Sequence, residues 1–177
     1  LGLDKDPRGK TPGRKNSAGE RYGFDFVHYE SDETDLTRWH AMGAGVGIKT
    51  GNGLVLIDAD TTNKDLAKII VDEIKLIMPT NSVRIGQCPK QGYLVRTDPD
   101  FRYAMIGFGD ANERVEILAE GKQFVAHGIH PKTLKPYFWP NGIPAYADLP
   151  FLSTADLLGL LDRLAKKLPA STKISRE

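Results

Sequence analysis

Apolar residues recur along this chain in two patterns, and the first of them predicts helices. A stripe with helical spacing predicts the clearest helix over residues 63–78, and Pro79 ends it. A last helix is predicted from Ser153, with Asp156 at the capping-box position and a leucine stripe that suits either the core or a partner-facing surface. A short helix is predicted after Ser31-Asp32. The three stripes consist of Leu66, Ile69, Ile70, Ile74 and Ile77; Leu157, Leu160, Leu161 and Leu164; and Leu36, Trp39 and Met42.

The second pattern, short runs of β-branched and aromatic residues, predicts strands. Two runs, Ala44–Lys49 and Leu54–Asp58, flank Gly51-Asn52-Gly53 and are expected to pair as a hairpin. Later strands are predicted at Ser82–Gly86, Tyr93–Thr97, Tyr103–Phe108, Arg114–Leu118 and Gln123–His127, with one more candidate at Pro136–Trp139. Two strands, a helix and then several strands predict an α+β domain with a mainly antiparallel sheet, and not alternating β-α winding.

Composition adds a basic arm to this picture. Residues 1–23 are predicted to be irregular, because their cationic side chains lie among Gly and Pro. Those side chains are Lys5, Arg8, Lys10, Arg14, Lys15 and Arg21. A solvated flexible terminus explains the same composition. The predicted division is a catalytic domain over 1–150 and a C-terminal helix over 151–177, with a disordered tail after Pro169.

Length, charge and cysteine content limit the possible classes of protein. A chain of 177 residues is long enough for one domain with a full core. The net charge of +1 indicates no particular partner, and the single Cys88 excludes an intramolecular disulfide. No apolar run approaches the ~20 residues that span a membrane, and no secretory signal opens the chain. We therefore expect a cytoplasmic protein, and the start at Leu1 suggests a piece of a longer one.

Two carboxylates at the end of the run 54–60 carry the most chemical information. Asp58 and Asp60 follow four apolar residues, and strand alternation places both side chains on one face. Like charges at that spacing repel, whereas Mg²⁺ or Mn²⁺ would bind both oxygen donors. The simpler alternative is a turn or a helix cap.

A third carboxylate is needed to complete a site for two metal ions. Glu116 is the best candidate, because it alternates with Val115 and Ile117 and so projects away from an apolar face. The alternative is a strand residue that faces solvent. Asp110 and Glu113 compete with it from the loop 107–112 and its edge.

Basic and imidazole side chains that could bind phosphate follow in two segments. Arg84, Lys90 and Arg96 surround Gly86 and Gly92, which permit close approach of the backbone. Near a triphosphate, either His127 or His130 could donate a hydrogen bond to an oxygen. The alternative for His130 is a hydrogen bond to the local backbone.

Four of these segments, in order, resemble the primase–polymerase domain of the archaeo-eukaryotic primase superfamily, phage and plasmid type. The first signature corresponds to Gly47–Gly51 with Leu54–Asp60, the second to Arg84–Lys90, and the third to Val115–Leu118. The segment Gln123–Pro131 with Lys135–Trp139, and the Lys10-Thr11-Pro12 opening, are similar too. The resemblance covers most of residues 5–140.

The resemblance implies an RNA-recognition-like catalytic core with a small additional module. It implies DNA primase and polymerase activity by two-metal nucleotidyl transfer, with Asp58, Asp60 and Glu116 as catalytic ligands of Mg²⁺ or Mn²⁺. The implied partners are a single-stranded DNA template, an NTP or dNTP, and a helicase domain or protein. Residues expected at the nucleotide are Thr50, Gly51, Arg84, Gln87, Lys90, His127 and His130.

One departure concerns the second signature, which commonly carries a Ser-x-His whose imidazole touches the triphosphate. No histidine occurs between His40 and His127, so Lys90, Gln87 or Arg84 is expected to take that place.

Two other functions compete with this interpretation. Residues 58–62 fit the Asp-x-Asp-x-Thr motif of haloacid dehalogenase-type phosphatases, and residues 109–113 echo their late acidic loop. The short separation of these segments, the long stretch before the first, and strands without intervening helices count against a phosphatase. A non-catalytic DNA-binding module of a replication initiator would use the basic arm and stack bases on Trp39, Tyr93 or Tyr103, but leaves the carboxylate pair unexplained.

Overall fold

The structure, a computed structural model, describes residues 13–15, 17–18, 20–23, 25–109, 113–169 and 171–176. The helices are α1 (Glu33–Ala41), α2 (Lys64–Lys75) and α3 (Thr154–Lys167). The strands are β1 (Gly13–Lys15), β2 (Arg21–Gly23), β3 (Val46–Lys49), β4 (Leu54–Asp60), β5 (Val83–Ile85), β6 (Gln91–Arg96), β7 (Ala104–Phe108), β8 (Arg114–Leu118), β9 (Gln123–His127) and β10 (Ser171–Arg176). These elements form two compact units.

The first unit contains the described residues up to Lys49 together with Gln123–Tyr137. It holds α1 and two small antiparallel sheets, β1-β2 and β3-β9. Asp32 caps α1 by accepting a hydrogen bond from the backbone of Asp35, as its position in the sequence predicted. Within this unit the Lys49 ammonium donates to the carbonyl oxygens of Val27 and Tyr29, at 3.1 and 2.9 Å.

The second unit contains Thr50–Lys122 and the described residues from Phe138 onward. Its six-stranded sheet has the order β10-β7-β8-β4-β6-β5, and every neighbouring pair is antiparallel. Strand β6 lies between β4 and β5, so that β4, α2, β5 and β6 form a split β-α-β arrangement. The predicted α+β class with mainly antiparallel pairing is confirmed.

One face of this sheet is buried against α2 and α3. In β4 the residues Val55, Ile57 and Ala59 belong to the core, and Leu56, Asp58 and Asp60 alternate with them on the opposite face. The helices contribute the stripes read from the sequence, including Ile70 and Ile74 of α2 and Leu157, Leu160, Leu161 and Leu164 of α3. The leucine stripe of α3 is therefore core. One face of the sheet is therefore apolar and buried, and the other carries the charged side chains of Asp58 and Asp60.

Side-chain caps begin the two core helices where the sequence predicts. The Asn63 side chain accepts hydrogen bonds from the backbone of Asp65 and Leu66 at the start of α2. Ser153 and Asp156 form a reciprocal capping box at the start of α3. These hydrogen bonds from Ser153 lower the pKa of the Asp156 carboxyl below its ordinary value.

A buried carboxylate joins the two helices on their polar sides. Glu73 of α2 is 2% exposed and accepts hydrogen bonds from the Arg163 guanidinium, at 2.9 Å, and from the Lys167 ammonium of α3. The Lys167 contact first, and the Arg163 contact after it, lower the pKa of Glu73. The position of α3 on α2 thus rests on charge as well as on leucine packing.

Three sequence predictions about strand pairing are wrong. The runs 44–49 and 54–58 form no hairpin, because β3 pairs with β9 and β4 lies between β6 and β8; only Gly51 bridges Leu54 in the tight turn. The arm is not irregular throughout, since β1 pairs with β2. The tail is not disordered over Ser171–Arg176, since β10 pairs with β7. The β3–β9 and β10–β7 pairings join segments that lie far apart in the chain, which no local pattern connects.

The remaining sequence predictions concern the segment Pro136–Trp139, residues outside the described part of the chain, and membrane-spanning helices. Pro136–Trp139 makes two isolated bridges, Ile129 to Pro136 and Ile85 to Phe138, and no strand. Residues 1–12 and Asp110 lie outside the described residues. In the part of the chain that the structure describes, no helix has the length and apolar character needed to cross a bilayer.

Candidate active site

Strand register brings the three predicted carboxylates together on the charged face of the second unit. Asp58 of β4 lies directly opposite Glu116 of β8, and Asp60 lies opposite Arg114. Opposite residues of neighbouring antiparallel strands have Cβ atoms about 5 Å apart and project to the same side. The side chains of Asp58, Asp60 and Glu116 are 26%, 23% and 16% exposed, so water reaches each of them.

Cationic side chains hold Asp60 from two sides. The Lys90 ammonium lies 2.5 Å from Oδ1 of Asp60, and Nη2 of Arg114 lies 3.5 Å from Oδ2. Lys90 directly precedes β6, the neighbour of β4 on the side away from β8. The charge of Asp60 is therefore balanced by Lys90 on the β6 side and by Arg114 on the β8 side.

Glu116 is fixed through both of its oxygens. Nε of Arg114 donates to Oε2 at 2.6 Å, and the Tyr103 hydroxyl donates to Oε1 at 2.8 Å. The Lys122 ammonium lies 4.5 Å from the centre of the Tyr103 ring, a favourable cation–π distance. The hydrogen bond to Glu116, with the nearby charge of Asp60, raises the pKa of Arg114 above its ordinary value.

A glycine lets Arg84 reach Asp58 across an intervening strand. Gly92 of β6 lies between them, opposite Asp58 on one side and Arg84 of β5 on the other. Nη2 of Arg84 lies 3.7 Å from Oδ1 of Asp58. A Cβ at Gly92 would come within 3.3 Å of that nitrogen and within 3.1 Å of the Leu56 side chain. The absence of a side chain at Gly92 therefore leaves space for the Arg84 side chain. From the sequence, this glycine was expected to allow close approach of the backbone.

The first prediction follows from this crossing. The family resemblance implies that Arg84 contacts the nucleotide, so Gly92→Val, whose larger side chain pushes Arg84 away from Asp58 and crowds Leu56, is expected to raise the KM for nucleotide by about ten-fold. Gly159→Val, on α3, provides a glycine control away from the charged face. Steady-state kinetics and a melting curve check the result, and wild-type kinetics from a folded Gly92→Val protein would contradict it.

The donor set of this face fits a divalent cation. Three carboxylates on two paired strands offer the hard oxygen ligands that Mg²⁺ and Mn²⁺ prefer. Among the described residues, however, no group of three or more Asp, Glu, His or Cys side chains is gathered as a ready metal cage. Lys90 and Arg114 instead pair with Asp60 and Glu116.

Comparison with known families identifies the chain. Residues 6–151 match the Prim-Pol family, described as bifunctional DNA primase/polymerase, N-terminal. The chain belongs to this family. As a Prim-Pol domain it has a general primase and polymerase function, which implies DNA and nucleotides as substrates and typically depends on divalent metal. No curated protein matches the chain.

Two residues predicted at the nucleotide lie at the other end of β4 in this Prim-Pol domain. Thr50 is buried, and its hydroxyl donates to the carbonyl of Ala119 at 2.6 Å. Gly51 bridges Leu54, the first residue of β4, which lies four residues and roughly 13 Å along the strand from Asp58. Arg96, opposite Leu54, donates through Nε to the carbonyl of Leu149 at 3.1 Å. The structure gives these residues structural contacts, and a role for Thr50 or Gly51 at the nucleotide stays a prediction.

The two histidines belong to the first unit of the Prim-Pol domain. His127 ends β9 and is exposed, whereas His130 is 3% exposed and its Nδ1 accepts hydrogen bonds from the backbone of Lys132 and Thr133, at 3.2 and 3.3 Å. This is the local-backbone alternative. β9 follows β8, the strand of Glu116, in the chain, but it pairs with β3. A nucleotide contact for either histidine stays a prediction.

The remaining placements concern the second signature and the competing acids. Gln87 is half-buried in the turn before β6, where its carbonyl accepts from the backbone of Lys90 at 2.8 Å. Glu113 accepts a hydrogen bond from the Thr61 hydroxyl at 2.7 Å. Tyr93, suggested as a base-stacking platform, is instead 1% exposed in the core.

Sequence reasoning missed Arg114 and the contact of Tyr103 with Glu116. The spacing of Arg114 and Glu116 was a usable signal, because residues two apart on a strand share a face. The Tyr103 contact had no such signal, since Tyr103 directly precedes β7 and reaches Glu116 only through the pairing of β7 with β8.

Proposed function

We propose that this Prim-Pol domain joins nucleotides on a single-stranded DNA template by two-metal catalysis, in the replication of a phage, prophage or plasmid. The observation that carries the proposal is the register of Asp58 with Glu116, with Asp60 on the same strand face. The oxygens of these three carboxylates, on two paired strands, are ligands that Mg²⁺ and Mn²⁺ prefer. In metal-assisted phosphoryl transfer, such carboxylates would hold the catalytic metal ions.

Asp58, Asp60 and Glu116 are the residues that would hold Mg²⁺ or Mn²⁺. When bound, the metal would lower the pKa of the attacking 3′-hydroxyl and stabilise the charge of the leaving pyrophosphate. The strands contribute rigidity, because side chains on paired strands are better fixed than side chains on loops. Tyr103 contributes orientation, because it holds one oxygen of Glu116.

Lys90 and Arg84 are proposed to neutralise the triphosphate. Both lie beside the carboxylates and within the segment that takes the place of the missing Ser-x-His signature. An ammonium or guanidinium can exchange a carboxylate for a phosphate oxygen at little cost, because both are charge-assisted hydrogen bonds. Gln87, His127 and His130 are proposed as further contacts of the nucleotide. A helicase, as a separate domain or protein, is the proposed partner that supplies single-stranded template.

Incorporation of labelled nucleotide separates the three function classes. The protein is incubated with single-stranded DNA, with or without a primer, and with each nucleotide type in Mg²⁺, Mn²⁺ or EDTA. We expect products one or more nucleotides longer that require metal and template. Release of inorganic phosphate without extension would favour a phosphatase, and template binding without either reaction would favour a non-catalytic module.

The second prediction tests the assignment of Lys90. Lys90→Ala is expected to raise the KM for nucleotide by about ten-fold, because one charge-assisted contact to the triphosphate is lost. Affinity for single-stranded DNA is expected to stay within two-fold. Lys68→Ala is the matched control, because Lys68 is an exposed lysine of α2 that pairs with Asp72. An unchanged KM with a salt-dependent loss of template affinity would instead assign Lys90 to the DNA groove.

A further inference from the structure

Arg114 spans the two carboxylates that lie at one end of the candidate metal site. Its Nε contacts Oε2 of Glu116 at 2.6 Å, and its Nη2 lies 3.5 Å from Oδ2 of Asp60. The side chain is 38% exposed, so it has room to leave toward solvent. A guanidinium does not lose its proton in proteins, so Arg114 can release the carboxylates only by moving.

Together with its neighbours, Arg114 engages every carboxylate oxygen of Asp60 and Glu116. Lys90 is paired with Oδ1 of Asp60, and the Tyr103 hydroxyl donates to Oε1 of Glu116. A divalent cation that used both residues as ligands would have to take oxygens that these groups already hold. Of the three groups, only Arg114 contacts both carboxylates, so its departure opens both residues at once.

We infer that Arg114 competes with the metal for Asp60 and Glu116 and transfers to the triphosphate when a nucleotide binds. The inference rests on the proposed function, because it takes Asp60 and Glu116 as metal ligands. Until a metal binds, Arg114 holds the carboxylates of Asp60 and Glu116 in place. This transfer couples the binding of metal and nucleotide. The metal binds the carboxylates that Arg114 releases, and the triphosphate gives Arg114 a new counter-charge.

Direct titration with Mn²⁺ in the absence of nucleotide tests the competition. Arg114→Ala is expected to bind Mn²⁺ about ten-fold more tightly than the wild type, because no guanidinium has to be displaced. The electron paramagnetic resonance signal of free Mn²⁺ reports the binding, and Mn²⁺ should also raise the melting temperature more in the variant than in the wild type. Arg114→Lys is expected to lie between the two, because it keeps the charge but lacks the fork that spans both carboxylates.

A matched control separates this effect from the change in net charge. Arg102→Ala removes the same charge from an exposed side chain just before β7 and is expected to leave the Mn²⁺ affinity within two-fold. At saturating Mn²⁺, Arg114→Ala is expected to raise the KM for nucleotide by a larger factor than it lowers kcat.

The outcomes distinguish the inference from the function on which it rests. If Asp60→Asn weakens Mn²⁺ binding while Arg114→Ala binds Mn²⁺ like the wild type, Arg114 does not compete and only the inference fails. An increase equal to that of Arg102→Ala overturns it in the same way. If Mn²⁺ binding does not depend on Asp60 at all, both the inference and the proposed metal site are wrong.

Discussion

Asp58→Asn and Asp60→Asn are each expected to reduce metal-dependent nucleotide incorporation by at least about a thousand-fold. An amide replaces one of two carboxylates that share a strand face, and the loss corresponds to ~4 kcal/mol of charge stabilisation in the transition state. Both side chains are partly exposed and lie on the face opposite the core residues Ile57 and Ala59, so the variants should fold. Primer extension with Mg²⁺ and with Mn²⁺ measures the effect.

A carboxylate of the same chain outside the site provides the control. Asp72→Asn removes an exposed charge of α2 that pairs with Lys68, and incorporation should stay within two-fold of the wild type. Incorporation by Asp58→Asn or Asp60→Asn at more than a tenth of the wild-type rate would remove that residue from the catalytic set.

The ion pairs change the expected effect of these substitutions on stability. From the sequence, two neighbouring aspartates repel, and loss of one charge would stabilise the protein. In the structure, Asp60 lies between Lys90 and Arg114. Asp60→Asn would leave these two cations without their shared counter-charge, so we expect a small decrease of the melting temperature, no larger than that of a partly exposed ion pair.

Glu73→Gln is expected to lower the free energy of unfolding by about 2 kcal/mol. Glu73 is 2% exposed and accepts hydrogen bonds from Arg163 and Lys167, and hydrogen bonds to a buried charge are the strong ones. We discount the effect because the Arg163 and Lys167 side chains are 38% and 56% exposed and regain water when released. For a chain of this size the melting temperature should fall by about 4–8 °C. Thermal and urea unfolding measure both quantities, with Asp72→Asn as an exposed control that should change little.

The same substitution should have a defined dependence on pH. The contacts with Lys167 and Arg163 lower the pKa of Glu73 below its ordinary value of 4.5. A lowered pKa adds stability that is present above the unfolded value and is lost as the pH falls through the folded value. The difference between wild type and Glu73→Gln should therefore be constant near neutrality and shrink below about pH 4.5. A difference that persists unchanged at lower pH would assign the effect to packing.

Helices and the face of each strand were predictable from the sequence because both depend on local spacing. The stripe of α2 as far as Ile74, and the capping box of α3, lie where their residues predicted, although α2 ends at Lys75 and not at the predicted Met78. Alternation placed Asp58, Asp60 and Glu116 away from the apolar face, as the structure shows. The order of the four signature segments predicted the family, and the match over residues 6–151 confirms it.

Strand partners were not predictable, because pairing joins segments that lie far apart in the chain. No local sequence pattern predicts that β3 pairs with β9 or that β10 pairs with β7 at the edge of the six-stranded sheet. Register also brought Arg114, Lys90 and Tyr103 to the carboxylates.

The sequence by itself determined which residues are acidic, basic and apolar, and with them the periodic elements, the family and the three candidate ligands. Only the tertiary structure decided that Asp58 lies opposite Glu116, that Gly92 lets Arg84 cross a strand, and that Arg114 spans Asp60 and Glu116. The physical reason is that side-chain identity and periodicity are properties of a segment, whereas charge pairing across a sheet depends on which strands become neighbours and in what register.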